Sequence, residues 1–169
     1  MAMVGLFWIV EGDVYVGAKP FGRAPGVRLT PEGVVALGDG QDGLYLWEDV
    51  NALTVEGVPV RSLKRQAGAV LGTVMSLTLS VDMGGEAPPL MTVSVGSPDG
   101  DHELAAYVAA ANGYSPTEVD LSRALLARLT EGAATMATTL AAMSEWGRAW
   151  EGGTPRAAER EALLRGWVG

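Results

Sequence analysis

Apolar residues in the first hundred positions come in short runs that are separated by turn residues. Aromatic and β-branched residues dominate these runs, which is typical of strands. The runs recur about every ten residues without a helical segment between them, so they predict an antiparallel β sandwich or a partly open barrel. The predicted strands are 6–10, 13–17, 27–29, 34–37, 44–47, 50–57, 69–81, 90–96 and 103–108.

The spacing of apolar residues changes after Asn112. Ser115-Pro116-Thr117-Glu118 has the form of a capping box with proline at the first helical position, so a helix begins there. An apolar stripe then follows with alternating steps of three and four residues, which is the spacing of a helix that packs along its length. The stripe contains Val119, Ser122, Leu126, Leu129, Ala133, Met136, Leu140, Met143, Gly147 and Trp150.

Glycines divide this C-terminal part of the chain. Gly132 lies in the middle of the stripe, so the stripe forms either one helix or two. Gly152 and Gly153 end it, and a last short helix is predicted over 155–167. The chain is therefore predicted to be an α+β protein, with a strand-rich domain at 1–112 and a helical region at 113–169.

Residues 27–56 resemble part of a bacterial pleckstrin-homology-like (PH-like) domain. The resemblance is carried by "VRLTPEGVVAL", a turn and "LYLWEDVNALTV", in which Trp47, Asp49, Val50 and Leu53 are similar to the strand pair common in those domains. It implies a seven-stranded sandwich that is closed by a C-terminal helix and is used for binding. The basic loop that grips inositol phosphates in lipid-binding members is absent from the hairpin at 6–17, so no ligand residues are carried over.

Composition excludes several classes of function. The 169 residues are 48% hydrophobic and carry a net charge of -8, and both halves of the chain are acidic. Nucleic acids and anionic lipids need a concentrated positive field, so neither is expected as the main ligand. Cysteine is absent and His102 is the only histidine, which argues against a disulfide and a multi-histidine metal site. We expect no cofactor.

The location of the protein is predicted from what the sequence lacks. The apolar-rich run 67–81 contains four hydroxyl residues and is too short for a membrane span, so no membrane insertion is expected. A charged n-region and a cleavage site are missing at the N-terminus. These features predict a cytoplasmic protein. Ten arginines against two lysines, with abundant alanine and glycine, suggest a GC-rich bacterial genome.

The stretch "GDGQDG" at 38–43 fits the glycine pattern of dinucleotide-binding loops. Such a loop opens a helix whose N-terminus faces the phosphates, whereas the residues after this one have strand character. Asp39 and Asp42 would also repel a pyrophosphate. A calcium loop starting at Asp39 fails because Gly43 and Val50 occupy two positions that need oxygen ligands. The stretch is therefore predicted to be a hairpin turn.

Two further groups of polar residues have a simpler interpretation than an active site or a ligand site. Asp99, Asp101, His102 and Glu103 are neighbours at a predicted hairpin turn, where a solvated cluster is the expected state. The basic stretch 61–65 is expected to be a solvated loop, with a site for an acidic partner as the alternative. Because general bases and nucleophiles are few, a non-catalytic role is favoured over an enzyme.

The C-terminal tryptophans and the apolar stripe give the best indication of function. Trp146 and Trp150 lie four apart on one helical face, and Trp167 lies near the chain end. The stripe is longer than one capping helix needs, so we predict a non-catalytic protein–protein interaction module that self-associates or docks through its helices. The alternative is a small enzyme or a small-ligand carrier with its site in the β domain. The candidate partner-binding residues are Leu129, Met136, Leu140, Met143, Trp146 and Trp150.

Overall fold

The computed structural model describes residues 2–38, 40–41, 43–60, 90–110 and 113–169, with the side chains at 133–136 left out of the description. Within these ranges the chain forms nine strands followed by three α-helices. The strands are β1 (Ala2–Val4), β2 (Phe7–Val10), β3 (Asp13–Val16), β4 (Gly26–Leu29), β5 (Gly33–Leu37), β6 (Gly43–Leu46), β7 (Ala52–Glu56), β8 (Leu90–Ser97) and β9 (Gly100–Tyr107). The helices are α1 (Pro116–Leu129), α2 (Ala133–Ala149) and α3 (Ala157–Val168).

The first six strands form one antiparallel sheet in which each strand pairs with the next along the chain. A two-residue loop joins β2 to β3, and its residues Glu11 and Gly12 have φ angles of 51° and 93°. Positive φ at both loop positions matches the twist of the two strands, which explains a tight hairpin here. The strands predicted at 6–10 and 13–17 are therefore confirmed as one hairpin, and those predicted at 27–29 and 34–37 as another.

The last three strands form a second antiparallel sheet in the order β7-β8-β9. Its hairpin between β8 and β9 turns at Pro98 and Asp99, as the sequence predicts. Alternate residues of β8, such as Met91, Val93 and Val95, are buried, which is the period of a strand with one face in the core. The predicted strand at 69–81 lies outside the described residues.

The side chain of Gln41 joins the two sheets. Its amide nitrogen donates to the carbonyl oxygen of Ala105 at 2.8 Å, and its amide oxygen accepts from the Ala105 N–H at 2.7 Å. The same nitrogen lies within hydrogen-bond distance of the carbonyl oxygens of Gly26 and Leu37. The side-chain amide of Gln41 thus pairs with the backbone of Ala105 in β9, in the way that the backbone of a neighbouring strand would, and it links the two sheets at this point.

The helices pack against the strands and share their core. The Ser115 hydroxyl accepts a hydrogen bond from the Glu118 N–H at 3.2 Å and begins α1 at Pro116, as the capping box predicts. Gly132, with a φ of 154°, separates α1 from α2, so the stripe forms two helices. One apolar cluster contains buried residues of both sheets and all three helices. The predicted α+β class, with antiparallel strands before a helical region, is confirmed.

Candidate functional site

The structure separates the predicted partner-binding residues into two groups. Leu129, Leu140 and Met143 have exposed fractions of 1%, 3% and 0%, so these side chains belong to the chain's own core. Met136 lies outside the described side chains. Trp146 and Trp150 are only half-buried. Of the five predicted residues whose side chains the structure describes, the two tryptophans are therefore the ones that remain accessible to a partner in the single chain.

These two tryptophans line an open cleft between α2 and α3, which we call the tryptophan groove. Its volume is about 440 Å³. Its walls are almost entirely apolar, with indole rings on both helices. The lining residues are Trp146, Trp150, Pro155, Glu159, Ala162, Leu163, Gly166 and Trp167.

The three indoles pack against one another around Trp146. The ring centroids of Trp146 and Trp150 lie 5.2 Å apart with an interplanar angle of 20°, which is a stacked arrangement. Trp167 meets Trp146 edge-on, at 5.9 Å and 75°. Both geometries are favourable for aromatic pairs. Mutual packing fixes the rings, so the groove is preformed in the free chain.

The polar edges of the three rings differ. The Trp150 Nε1–H donates to the carbonyl oxygen of Gly153 at 2.8 Å, which ties the ring to the loop after α2. The indole N–H groups of Trp146 and Trp167 make no hydrogen bond to any described residue. Two donors therefore remain available at an otherwise apolar surface, and a bound chain could accept from them through its carbonyl oxygens.

Glu159 is the charged residue of the groove lining. It is exposed, and its Oε2 accepts a hydrogen bond from the backbone N–H of Arg156 at 3.3 Å, which forms part of the cap of α3. The residue thus adds an exposed carboxylate to the lining of the groove. The rim of the groove is therefore acidic on the α3 side.

A buried ion pair holds α3 in the position that shapes the groove. The Arg160 Nε donates to Glu118 Oε1 at 2.6 Å, and Arg160 Nη1 donates to the carbonyl oxygen of Pro155 at 2.6 Å. The Ser115 hydroxyl donates to the other Glu118 oxygen at 2.9 Å. Burial alone would raise the pKa of Glu118, but the hydrogen bonds from Arg160 and Ser115 and the positive charge of Arg160 outweigh burial and lower this pKa.

A second cleft, of about 390 Å³, lies between β6 and the turn after β8. It is more polar than the tryptophan groove, and the His102 ring packs against Tyr45 at a centroid distance of 4.9 Å. The strand alternation turns Asp101 and Glu103 away from the cleft, so the predicted acidic cluster is only partly brought together. Its lining residues are Leu44, Tyr45, Leu46, Asp49, Ser97, Pro98, Asp99 and His102.

The sequence did not predict that Asp49 joins this second cleft, because Asp49 lies far from His102 along the chain. Neither Asp49 nor Asp99 is hydrogen bonded to the His102 ring within the described residues. The described residues also contain no group of three or more histidine and carboxylate side chains that could hold a metal ion. The cleft thus has polar walls without an assembled set of catalytic contacts.

The glycine-rich stretch 38–43 lies between two antiparallel strands. β6 pairs with β5 directly after it, so a strand and not a helix follows the loop. Gly38 and Gly40 have φ angles of 108° and 81°, which suit a turn. The predicted hairpin turn is confirmed, while Asp39 and Asp42 lie outside the described residues, as does the basic stretch 61–65.

No family model matches this chain, and no curated protein or solved structure is significantly similar to it. Among the described residues, no helix is both long enough and apolar enough to cross a membrane.

Proposed function

We propose that this chain is a non-catalytic protein-interaction module, and that the tryptophan groove is its partner-binding surface. The observation that carries the proposal is the preformed cluster of three half-buried indoles around an open apolar cleft. Tryptophan is enriched among the residues that dominate protein–protein binding energies, because a large rigid ring loses little entropy on binding.

The chemistry of the groove favours a polypeptide partner with apolar side chains. The lining buries apolar groups, and the free N–H groups of Trp146 and Trp167 can bond to backbone carbonyl oxygens of an extended or proline-containing segment. Self-association through the helices is one form of this function.

The experiment selects random twelve-residue peptides by display on the native protein and measures their affinity for variants. Ala162 is exposed and lines the groove, so Ala162→Arg places a long charged side chain in the cleft without opening a cavity. We expect the selected peptides to be rich in apolar residues and to lose at least about tenfold in affinity, a difference of about 1.4 kcal/mol.

Ala124→Arg is the matched control, because Ala124 is an exposed residue within α1 and does not line the groove. The control adds the same charge with the same change of helix propensity. Peptides that bind native protein, Ala162→Arg and Ala124→Arg equally would show that the groove is not the binding surface.

The second cleft favours the rival function, a small enzyme or small-ligand carrier with its site among the strands. This rival is supported by a cleft with polar walls that brings together His102, Tyr45 and the carboxylates of Asp49 and Asp99. A thermal-shift screen of small polar molecules tests it, because a ligand of the folded state raises the melting temperature. A molecule that stabilises the native protein but not His102→Ala would favour this rival.

A further inference from the structure

The loop 18–25 displays the most exposed large apolar side chain among the described residues. Phe21 is 83% exposed, whereas the other exposed large apolar residues, Leu44, Leu46 and Leu90, have values of 50%, 39% and 52%. Single exposed apolar residues are common on protein surfaces. What distinguishes Phe21 is the way in which the structure holds it.

The loop that carries Phe21 is fixed on both sides. The Ala18 N–H donates to the carbonyl oxygen of Tyr107 in β9 at 2.8 Å, and the Ala24 N–H donates to the carbonyl oxygen of Phe21 at 3.1 Å. Gly22 supports this turn with a φ of 59°. Because the backbone around the ring is already ordered, inserting the ring into a partner loses little conformational entropy.

The charge of the loop is opposite to that of the tryptophan groove. Lys19 and Arg23 flank Phe21 and are exposed, and the loop contains no acidic residue, although the chain as a whole carries a net charge of -8. The groove has Glu159 in its lining and lacks a basic lining residue among the described positions. Unlike charges around an apolar contact align two surfaces and oppose wrong pairings.

We propose that Phe21 of one copy of this chain inserts into the tryptophan groove of a second copy, with Lys19 facing Glu159. The groove volume of about 440 Å³ has room for a phenyl ring between the indoles and Leu163. Phe21 has no such partner among the described residues of its own chain, since 83% of it is exposed. This inference rests on the proposed function, because it names the occupant of the same groove.

The contact joins two different surfaces, so it is head-to-tail. Each copy in such a contact keeps one free loop and one free groove, and further copies add until a ring closes or a filament grows. Two variants that each lack one of the surfaces will therefore not self-associate, yet they will pair with each other. A symmetric groove-to-groove dimer would not show this pairing.

The experiment measures molar mass by sedimentation equilibrium at concentrations up to about 1 mM. Phe21→Ala removes the ring but keeps the groove, and Ala162→Arg fills the groove but keeps the loop. We expect the native mass to rise with concentration above the single-chain value of 17.6 kDa, and each variant alone to stay at that value. An equimolar mixture of the two variants is expected to reach twice that value and to stop there.

Matched controls test whether the effects are specific. Leu90→Ala shortens another exposed apolar side chain, and Ala124→Arg adds the same charge on α1, so both are expected to associate as the native protein does. Circular dichroism melts verify that all variants are folded. A Phe21→Ala variant that associates like the native protein would overturn the proposal, and so would a mixture that fails to pair.

A native mass that stays at one chain over the whole range would also overturn the head-to-tail contact. The proposed function is judged separately, from the affinity of displayed peptides for the native protein and for Ala162→Arg. Peptides that bind the groove of a strictly single chain would leave the proposed function in place and remove only Phe21 as the occupant.

Discussion

Helix α3 contacts its two neighbouring helices in opposite ways. On the α1 side, Arg160 reaches the buried carboxylate of Glu118 at 2.6 Å, and Leu164 is completely buried. On the α2 side, the helices diverge around an open groove in which Trp146 and Trp167 are only half-buried. One helix thus takes part in a closed polar contact and in an open aromatic surface.

The two sides of α3 differ in how they contribute to the position of the helix. A buried ion pair loses solvation of both charges and stabilises the fold only in a narrow range of geometries, so Glu118 and Arg160 fix the orientation of α3. On the other side, the indole rings pack against one another, and the N–H groups of Trp146 and Trp167 donate to no described residue. The open α2 side is therefore separate from the contact that positions α3.

Removing Glu118 is expected to give the largest loss of stability. Glu118→Ala leaves the guanidinium of Arg160 largely buried without its partner, and breaking a buried pair in this way lowers the free energy of unfolding by about 3–5 kcal/mol. Urea unfolding followed by circular dichroism measures the loss. The matched control is Glu161→Ala, which removes the more exposed pair with Arg165 at 3.7 Å and should change stability by about 0.5 kcal/mol or less.

Equal losses in these two variants would mean that the contact between Glu118 and Arg160 is solvated. In that case α3 would be held mainly by apolar packing, to which Leu163, Leu164, Trp167 and Val168 contribute.

Gly147 positions α2, the other helix of the groove. A methyl group at Gly147 would overlap the side chain of Ile9 in β2, so glycine lets α2 approach the first sheet closely. Gly147→Ala is expected to lower the free energy of unfolding by about 1–3 kcal/mol through overpacking. Gly166→Ala in α3 is the control, because no atom lies within 4 Å of the added carbon. There the higher helix propensity of alanine should raise stability by up to about 1 kcal/mol.

A Gly147→Ala variant as stable as the native protein, by the same urea titration, would show that Ile9 or α2 moves readily to accept the methyl group. In that case Gly147 would not fix the position of α2.

The sequence predicted the order and type of most elements because their signals are local. The Ser115 cap, the Glu11-Gly12 turn and the alternation in β8 each lie within a few neighbouring residues. It missed β1, which has three residues and is followed directly by Gly5. It also missed the bridge from Gln41 to Ala105, because a contact between residues 64 positions apart leaves no local pattern.

The site was predictable only in part for the same reason. The spacing of Trp146 and Trp150 showed that they share a helical face, and the structure brings Trp167 to them. The apolar stripe could not show which of its members face the strands. Gly147 lies close to Ile9 in β2, and Leu140 and Met143 of the same helix are buried in the core.

Acid is expected to weaken the contact between Glu118 and Arg160. Because the folded pKa of Glu118 is lowered, its contribution to stability is fully present above the unfolded value of about 4.3 and is lost as pH falls through the folded pKa. The loss should be smaller than that in Glu118→Ala, since a neutral carboxyl group still fills the site. Urea unfolding between neutral pH and pH 3 measures it.

Glu118→Gln is the control for acid, because its amide has a similar shape and does not titrate. The chain has other carboxylates, so the test is the difference between the two proteins at each pH. If that difference stays constant down to pH 3, the ionised state of Glu118 does not stabilise the contact with Arg160.

The smallest effect on stability is expected for Ala162→Arg, the variant that should abolish binding in the groove. Ala162 is exposed, and arginine is a good helix former, so the substitution breaks no contact of the folded chain. Surface changes of this kind alter the free energy of unfolding by about 0.5 kcal/mol or less, and urea unfolding at neutral pH measures the change. Such a result would show that this part of the groove lining contributes little to the stability of the fold. A loss above about 2 kcal/mol would instead place Ala162 in a closed contact, because only buried or strained sites respond so strongly. In that event both sides of α3 would support the fold, and the groove would have to be sought as a site that opens only when a partner arrives.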